Sequence, residues 1–225
     1  MTECRISAVI FDMDGLVLDS EIGYVHAWRR AAAEMDCELA DDFCLSLSGI
    51  PGQQVSQRIQ AYCGNDFNID RFQRLSGSYW TAYVEKYGIA VKPGFFALMA
   101  VLLERSLPYC LATNSRLAAA QRCLALAGLQ QTFPHIVAGD AVAAAKPAPD
   151  IFWRAAAELA CPIDECLVLE DSPVGIAAAL AAGAPSILVP SLKPVDAWAA
   201  AHADYLMDDL GQVADFISAR PDHPL

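Results

Sequence analysis

The sequence lacks any run of about 18 consecutive apolar residues, the length that a helix needs to cross a bilayer. Its first five residues lead directly into an apolar segment, without the small-residue cleavage site of a signal peptide. Basic residues are scarce as well: 15 lysines and arginines stand against 27 aspartates and glutamates, for a net charge of −12. Because nucleic-acid-binding proteins usually present a basic face, we expect no nucleic acid as a partner. The lack of a membrane-spanning run and of a signal-peptide cleavage site leads us to expect no membrane partner and a cytoplasmic location.

Metal-binding and redox motifs of cysteine and histidine are also missing. The eight cysteines form no Cys-x-x-Cys pair and the four histidines show no ligand spacing, so neither a zinc site nor a thioredoxin-like site is indicated. Since disulfides are rare in a reducing compartment, we expect no disulfide framework and expect most of the cysteines to be small buried apolar residues. The 225 residues, of which 55% are hydrophobic, suffice for one large domain, or for a domain with a smaller companion.

Five short apolar runs recur along the chain, separated by alanine-rich stretches of helical length. Their apolar residues are continuous rather than alternating, which is typical of parallel strands covered on both faces. Residues 204–207 supply a candidate sixth strand. The pattern predicts an α/β fold with a Rossmann-like parallel sheet and right-handed crossovers. The runs are Ala8–Phe11, Tyr109–Ala112, His135–Val137, Cys166–Leu169 and Ser186–Val189, and the helical stretches are Leu117–Leu126, Pro149–Leu159 and Val174–Ala182.

Residues 20–87 have a different pattern, with apolar side chains recurring at spacings of three and four. This spacing predicts amphipathic helices without intervening strands. We therefore predict a core domain formed by residues 1–19 and 88–225, with an α-helical domain of residues 20–87 inserted after the first strand. The apolar positions are Val25, Trp28, Ala32, Met35 and Leu39; Val55, Ile59 and Tyr62; and Ile69, Phe72, Leu75, Tyr79 and Tyr83.

Acidic and polar residues follow the predicted strands. Because the carboxyl ends of parallel strands share one edge of the sheet, we expect these residues to converge there. Crowded carboxylates repel each other unless a cation holds them, and oxygen ligands favour Mg²⁺. Hydroxyls, backbone N–H groups and a lysine can cradle a phosphoryl group, which an ionised aspartate can attack. The residues are Asp12 and Asp14 after the first strand, Thr113, Asn114 and Ser115 after the second, Lys146 after the third, and Glu170 and Asp171 after the fourth.

The order of these motifs resembles the haloacid dehalogenase superfamily of phosphatases. The segments that carry the resemblance are Phe-Asp-Met-Asp-Gly at 11–15, Thr-Asn-Ser at 113–115, Lys-Pro-Ala-Pro-Asp at 146–150 and Glu-Asp-Ser at 170–172. Leu-Asp-Ser-Glu at 18–21 and the run at 146–150 are similar to the β-phosphoglucomutase-like branch. The resemblance covers nearly the whole chain, and it implies a core of that fold with the helical insertion as a mobile cap.

The resemblance also implies a role for each site residue. Asp12 matches a covalent nucleophile that also binds Mg²⁺, and Asp14 matches a general acid and base whose backbone carbonyl reaches the metal. Lys146 matches a lysine that steadies the nucleophile and the phosphate. The remaining positions match phosphate ligands, namely Thr113, Asn114 and Ser115, and acidic metal ligands, namely Asp171 with Glu170 as a ligand or as a neighbour of the ligands.

The cap departs from the mutase branch of the family. Gly52 stands where the mutase pattern has an arginine, Tyr24 stands where it has a histidine, and residues 75–80 contain no lysine. Without a cap cation a second phosphate would be poorly held. We therefore expect hydrolysis of a small phosphorylated metabolite, in the class of sugar phosphates, through an aspartyl-phosphate, by a monomer or weak homodimer.

Three alternatives stay open on the sequence. Arg58, Arg71 or Arg74 could supply a cap cation from another helix, which keeps a β-phosphoglucomutase-type phosphotransferase as the runner-up. A 2-haloacid dehalogenase is less favoured, because that family lacks the second aspartate found here as Asp14. A non-catalytic binding protein is less favoured because the motif set is complete.

Overall fold

The computed structural model describes residues 5–47, 50, 52–191 and 193–220. These residues divide into two compact units, one within 1–18 and 91–225 and the other within 19–90. Gly52, which stands at the position of the mutase arginine, is described, whereas Ser48, Gly49 and Pro51 in the segment before it lie outside the described residues.

The first unit contains a six-stranded sheet in the order β5-β4-β1-β6-β7-β8. Every neighbouring pair in it is parallel. The predicted parallel α/β fold is confirmed: each of the five apolar runs forms a strand, and the candidate at 204–207 forms the sixth. β2 and β3 pair in a separate two-stranded sheet. The strands are β1 Ala8–Phe11, β2 Leu18–Asp19, β3 Ala90–Val91, β4 Tyr109–Thr113, β5 Ile136–Ala138, β6 Cys166–Glu170, β7 Ser186–Leu188 and β8 Tyr205–Leu206.

Helices cover the sheet on both faces. On one face Ile10, Cys110 and Val168 pack against apolar residues of α7 and α8. On the other face Phe11 meets Phe95, the first residue of α5, edge to face at 6.1 Å between ring centroids. This double burial explains the unbroken apolar runs. The helices are α1 Glu21–Ala33, α2 Asp41–Leu45, α3 Gly52–Cys63, α4 Ile69–Tyr87, α5 Phe95–Glu104, α6 Leu117–Leu126, α7 Asp150–Glu158, α8 Pro173–Ala182, α9 Ala197–His202 and α10 Leu210–Ser218.

The second unit is built from α1 to α4. Its core gathers residues that the helical spacing predicts, among them Ala32, Leu39, Ile59 and Phe72, whereas Tyr62 is 46% exposed and stacks on the ring of Phe43. Within the described residues of the whole chain, no helix combines the length and the apolar character needed to cross a bilayer.

A disulfide joins Cys37 and Cys63 in this helical unit, a single bridge that the expectation of no disulfide framework did not include. The two Cα atoms lie 5.8 Å apart, a separation that suits a bridge. Both cysteines border the same apolar core. Their separation of 26 residues in the sequence gives no local signal for the pairing. The expectation of buried thiols is confirmed for Cys44, Cys110 and other cysteines, and burial raises the pKa of Cys110 to about 12.

Reduction of this disulfide is expected to lower the free energy of unfolding. Closing a loop of this length removes conformational entropy from the unfolded chain, which stabilises the folded state by about 3.5 kcal/mol. Urea unfolding with and without dithiothreitol measures the effect. The Cys37→Ser, Cys63→Ser double variant is the matched control and is expected to be insensitive to the reductant, and a wild type that is equally insensitive would contradict the bridge.

Candidate functional site

Three neighbouring strands in the middle of the sheet carry the first part of the site. Asp12 directly follows β1, Thr113 is the last residue of β4 and Glu170 is the last residue of β6. β4 and β6 flank β1 on either side, so the chain reverses its direction of sheet building at β1. Ligands of open α/β sheets bind in the crevice at such a reversal.

Lys146 links two of these strand ends. Its Nζ donates hydrogen bonds to Asp12 Oδ1 and Glu170 Oε1, both at 2.6 Å, and to the Ala112 carbonyl at 2.8 Å. The lysine is 4% exposed, Asp12 8% and Glu170 1%. All three ammonium hydrogens therefore have acceptors, and the position of Asp12 relative to β6 is fixed by the lysine between them.

Burial and charge act against each other in this cluster. Burial raises the pKa of Asp12 to about 8, with the Lys146 ammonium lowering it and the Glu170 carboxylate raising it. The pKa of Lys146 is raised despite its burial, because Asp12 and Glu170 both hold the ammonium. Lys146 therefore stays charged at neutral pH. Asp12 needs further positive charge nearby to stay ionised at that pH.

Asn114 holds the backbone of Lys146 through its side chain. The Lys146 backbone N–H donates to Asn114 Oδ1 at 2.8 Å, and Asn114 Nδ2 donates to the Lys146 carbonyl at 3.2 Å. The end of β4 is thereby tied to a residue 32 positions later in the chain. The structure thus brings Asn114 to the predicted site, where its amide contacts the lysine backbone.

Of the other two residues of the Thr-Asn-Ser segment, Ser115 lies beside Asp14 and is hydrogen-bonded to Thr113. Ser115 Oγ donates to Asp14 Oδ2 at 3.1 Å, and the Ser115 backbone N–H donates to Thr113 Oγ1 at 3.1 Å. This segment leads into α6, whose first backbone N–H, that of Leu117, is capped by Asp140 Oδ1 at 3.0 Å. Asp140 thus acts as a helix cap.

Glu170 is locked by the start of α8. Its Oε2 accepts hydrogen bonds from the Asp171 N–H at 3.1 Å and from the Ser172 hydroxyl at 3.1 Å. Gly175 is required beside it, because a Cβ there would lie 1.8 Å from the carboxyl carbon of Glu170. Both oxygens of Glu170 accept hydrogen bonds from the protein, one of them from Lys146.

Asp12, Glu170 and Asp171 can each offer an oxygen to one metal ion, since these atoms lie within 4.8 Å of one another. With Asp14 nearby, the four carboxylates outnumber the Lys146 ammonium, so the local charge favours a cation. Carboxylate oxygens are the ligands that Mg²⁺ prefers in proteins. The donor set therefore fits a hard divalent cation.

The sequence-based prediction omitted one residue beside this cluster. Ser191 follows β7, and its Oγ donates to Asp171 Oδ2 at 2.7 Å. Ser191 belongs to no motif, and the sequence signal that could have found it is its position just beyond a predicted strand. The predicted residues Asp12, Asp14, Thr113, Asn114, Ser115, Lys146, Glu170 and Asp171 all lie at or just beyond this edge of the sheet, or are bonded to residues that do.

Comparison with known proteins agrees with this geometry. The family model described as Haloacid dehalogenase-like hydrolase matches residues 9–189, so the chain belongs to this family. Fructose-1-phosphate phosphatase YqaB of Escherichia coli is 31% identical over 80% of this chain and 94% of its own length. Beta-phosphoglucomutase of Bacillus subtilis is 29% identical over 79% of this chain and 80% of its own. The solved structure of CbbY from Rhodobacter sphaeroides in complex with phosphate has a TM-score of 0.76 at 26% identity, and covers 93% of this chain and 96% of its own.

Proposed function

We propose that this member of the haloacid dehalogenase-like hydrolase family is a Mg²⁺-dependent phosphatase that hydrolyses a small phosphorylated metabolite, of the sugar phosphate class, through an aspartyl-phosphate on Asp12. The observation that carries the proposal is the buried Asp12–Lys146–Glu170 cluster at the edge of the sheet. Asp171 lies close enough to Asp12 and Glu170 for the three carboxylates to bind one metal ion. Two relatives whose names state a phosphatase and a sugar phosphomutase support the substrate class.

The proposed reaction has two steps. A carboxylate oxygen of Asp12 forms a bond to phosphorus while the bond from phosphorus to the substrate oxygen breaks, and Asp14 donates a proton to the departing alcohol. Asp14 then takes a proton from a water molecule, which attacks the phosphorus and releases phosphate from Asp12. The hydrogen bond from Ser115 to Asp14 orients the carboxyl group for both proton transfers.

Other residues hold the reacting groups. Lys146 keeps Asp12 in place and adds positive charge beside it, and Asn114 keeps Lys146 in place. Thr113, Asn114 and Ser115 form the proposed phosphate-binding segment. In this proposal residues 20–87 are the cap domain, which is the role that the family resemblance gives them.

Mg²⁺ fits the donor set described above and would be held by Asp12, Asp171 and the backbone carbonyl of Asp14, with Glu170 adding charge beside them. When bound, the ion supplies positive charge that stabilises the phosphoryl oxygens and keeps Asp12 ionised despite its burial. The protein's own part is to fix these carboxylates before substrate arrives.

Contacts of the helical unit favour hydrolysis over phosphomutase chemistry. Arg58, one of the alternatives for a cap cation, donates to the Ser46 carbonyl at 3.2 Å, and Arg71 lies 3.8 Å from Glu34. Gly52, the first residue of α3, offers no side chain at the position of the mutase arginine. A bisphosphate intermediate would have to draw Arg58 or Arg71 away from such contacts, and Arg74 stays open as an alternative cation.

A phosphate-release screen across phosphorylated metabolites tests the proposal. We expect inorganic phosphate from sugar phosphates in the presence of Mg²⁺, loss of release with EDTA, and recovery when Mg²⁺ is added back in excess. An isomerised hexose phosphate without phosphate release would instead identify a mutase. Dehalogenation of 2-haloacids that survives EDTA would identify the third candidate.

A further inference from the structure

We infer that Ser191 is a positioning residue for Asp171 and thereby sets the affinity of the site for its divalent cation. The inference rests on the proposed function, because it assumes that Asp171 is a metal ligand. No motif includes Ser191, which lies three residues beyond the end of β7.

Ser191 contacts Asp171 beside Gly15, whose lack of a side chain leaves room for the carboxylate. The hydroxyl donates to Asp171 Oδ2 at 2.7 Å. The same oxygen lies against Gly15: a Cβ built on this glycine would be 2.0 Å from Asp171 Oδ2 and 3.1 Å from Ser191 Oγ. Gly15 has a φ of +86°, in the left-handed region that favours glycine. The carboxylate is therefore confined between a hydroxyl on β7's side and the loop that carries Asp12 and Asp14.

This confinement fixes the rotation of the Asp171 carboxylate. Two segments that are far apart in the sequence, the loop after β1 and the loop after β7, contact the same carboxylate oxygen. The loop after β7 is itself tied to β6, because the Val189 N–H donates to the Glu170 carbonyl at 2.7 Å. A ligand held in one orientation loses less conformational freedom on binding a cation, and loss of such an outer contact typically costs about 10- to 100-fold in metal affinity.

Direct metal binding tests this role without substrate turnover. Free Mn²⁺ is measured by electron paramagnetic resonance over EDTA-stripped full-length protein, with Mg²⁺ as a competitor. We expect Ser191→Ala to weaken binding about 10-fold. Ser191→Thr keeps the hydroxyl and is expected to restore most of the affinity. Ser191→Cys, which has a similar size and a poor donor, is measured alongside so that the test does not depend on the alanine variant folding.

Ser186→Ala is the matched control, since it removes a buried hydroxyl from β7 whose partner is Asp204. Unchanged affinity in this control, together with weak binding in Ser191→Ala and Ser191→Cys, supports the inference. Wild-type affinity in both Ser191→Ala and Ser191→Cys overturns the inference and leaves the proposed phosphatase function intact. A wild-type protein that binds neither Mn²⁺ nor Mg²⁺ overturns the metal dependence of the proposed function as well.

Discussion

Replacing Asp12 with asparagine is expected to reduce phosphate release by at least about a thousandfold, because the amide cannot act as the nucleophile. The substitution is nearly isosteric and keeps an oxygen that can accept the hydrogen bond from Lys146. It also removes a carboxylate from a buried cluster in which Asp12 and Glu170 share one ammonium. We therefore expect the folded state to persist, with the loss confined to the chemical step. Initial rates at saturating substrate and Mg²⁺ measure it.

Trapping of the covalent intermediate separates a lost nucleophile from a disturbed site. Wild-type protein quenched during turnover of a ³²P-labelled substrate is expected to retain acid-stable label that hydroxylamine removes, and the Asp12→Asn variant is expected to retain none. Asp215→Asn is the matched control, because this aspartate is exposed on α10. Full activity in the Asp12→Asn variant would falsify the assignment of the nucleophile.

The sequence was sufficient to predict the fold and the convergence of the motifs, for a physical reason. A strand that is buried on both faces must be apolar throughout, so Ala8–Phe11 could be predicted as a strand without knowing which strands pair with it. The observed β1 has these bounds. Parallel strands all point the same way, so polar residues after β1, β4 and β6 had to meet at one edge. The helix predicted at Leu117–Leu126 likewise has the bounds of α6.

Contacts made by side chains across the fold could not be predicted in the same way. The bonds from Asn114 to the Lys146 backbone depend on how closely two loops approach, which no local pattern encodes. Ser191 carries no spacing signal, and its role emerges only when the loop after β7 is placed beside Asp171. The Cys37–Cys63 bridge could not be predicted, because an expected reducing compartment says nothing about the distance between two particular thiols in the folded chain.

Replacing Lys146 with methionine is expected to lower both activity and stability, since it leaves the carboxylates of Asp12 and Glu170 buried without their ammonium partner. Removal of one partner of a buried ion pair typically costs about 3–5 kcal/mol of unfolding free energy. Loss of the charge beside the nucleophile is expected to reduce kcat by at least about a hundredfold. Urea unfolding in Mg²⁺-free buffer and initial rates with Mg²⁺ measure the two effects separately, with Lys193→Met, at an exposed lysine, as the control.

The stability loss in Lys146→Met should depend on pH, with a sign that follows from linkage. Without the ammonium, which lowers the pKa of Asp12 in the wild type, the folded-state pKa of this carboxyl rises further above its ordinary value. The folded variant then binds more protons than the unfolded chain, so its stability falls as pH rises from about 4 towards neutrality. The wild type shares this slope, because the pKa of its own Asp12 is already about 8, so the deficit relative to wild type is expected to change little between pH 4 and pH 7 and to grow above about pH 8.

A compensating substitution distinguishes this electrostatic account from simple loss of packing. Adding Glu170→Gln to Lys146→Met removes the charge of Glu170, which the methionine leaves without its ammonium partner, while keeping an oxygen for the N–H groups of Asp171 and Ser172. We expect the double variant to regain part of the unfolding free energy, yet to remain inactive. A double variant no more stable than Lys146→Met at neutral pH would contradict the electrostatic account, because removing the charge of Glu170 would then have relieved nothing. The site would then be held together by packing around Phe152, whose ring centroid lies 4.9 Å from the lysine nitrogen.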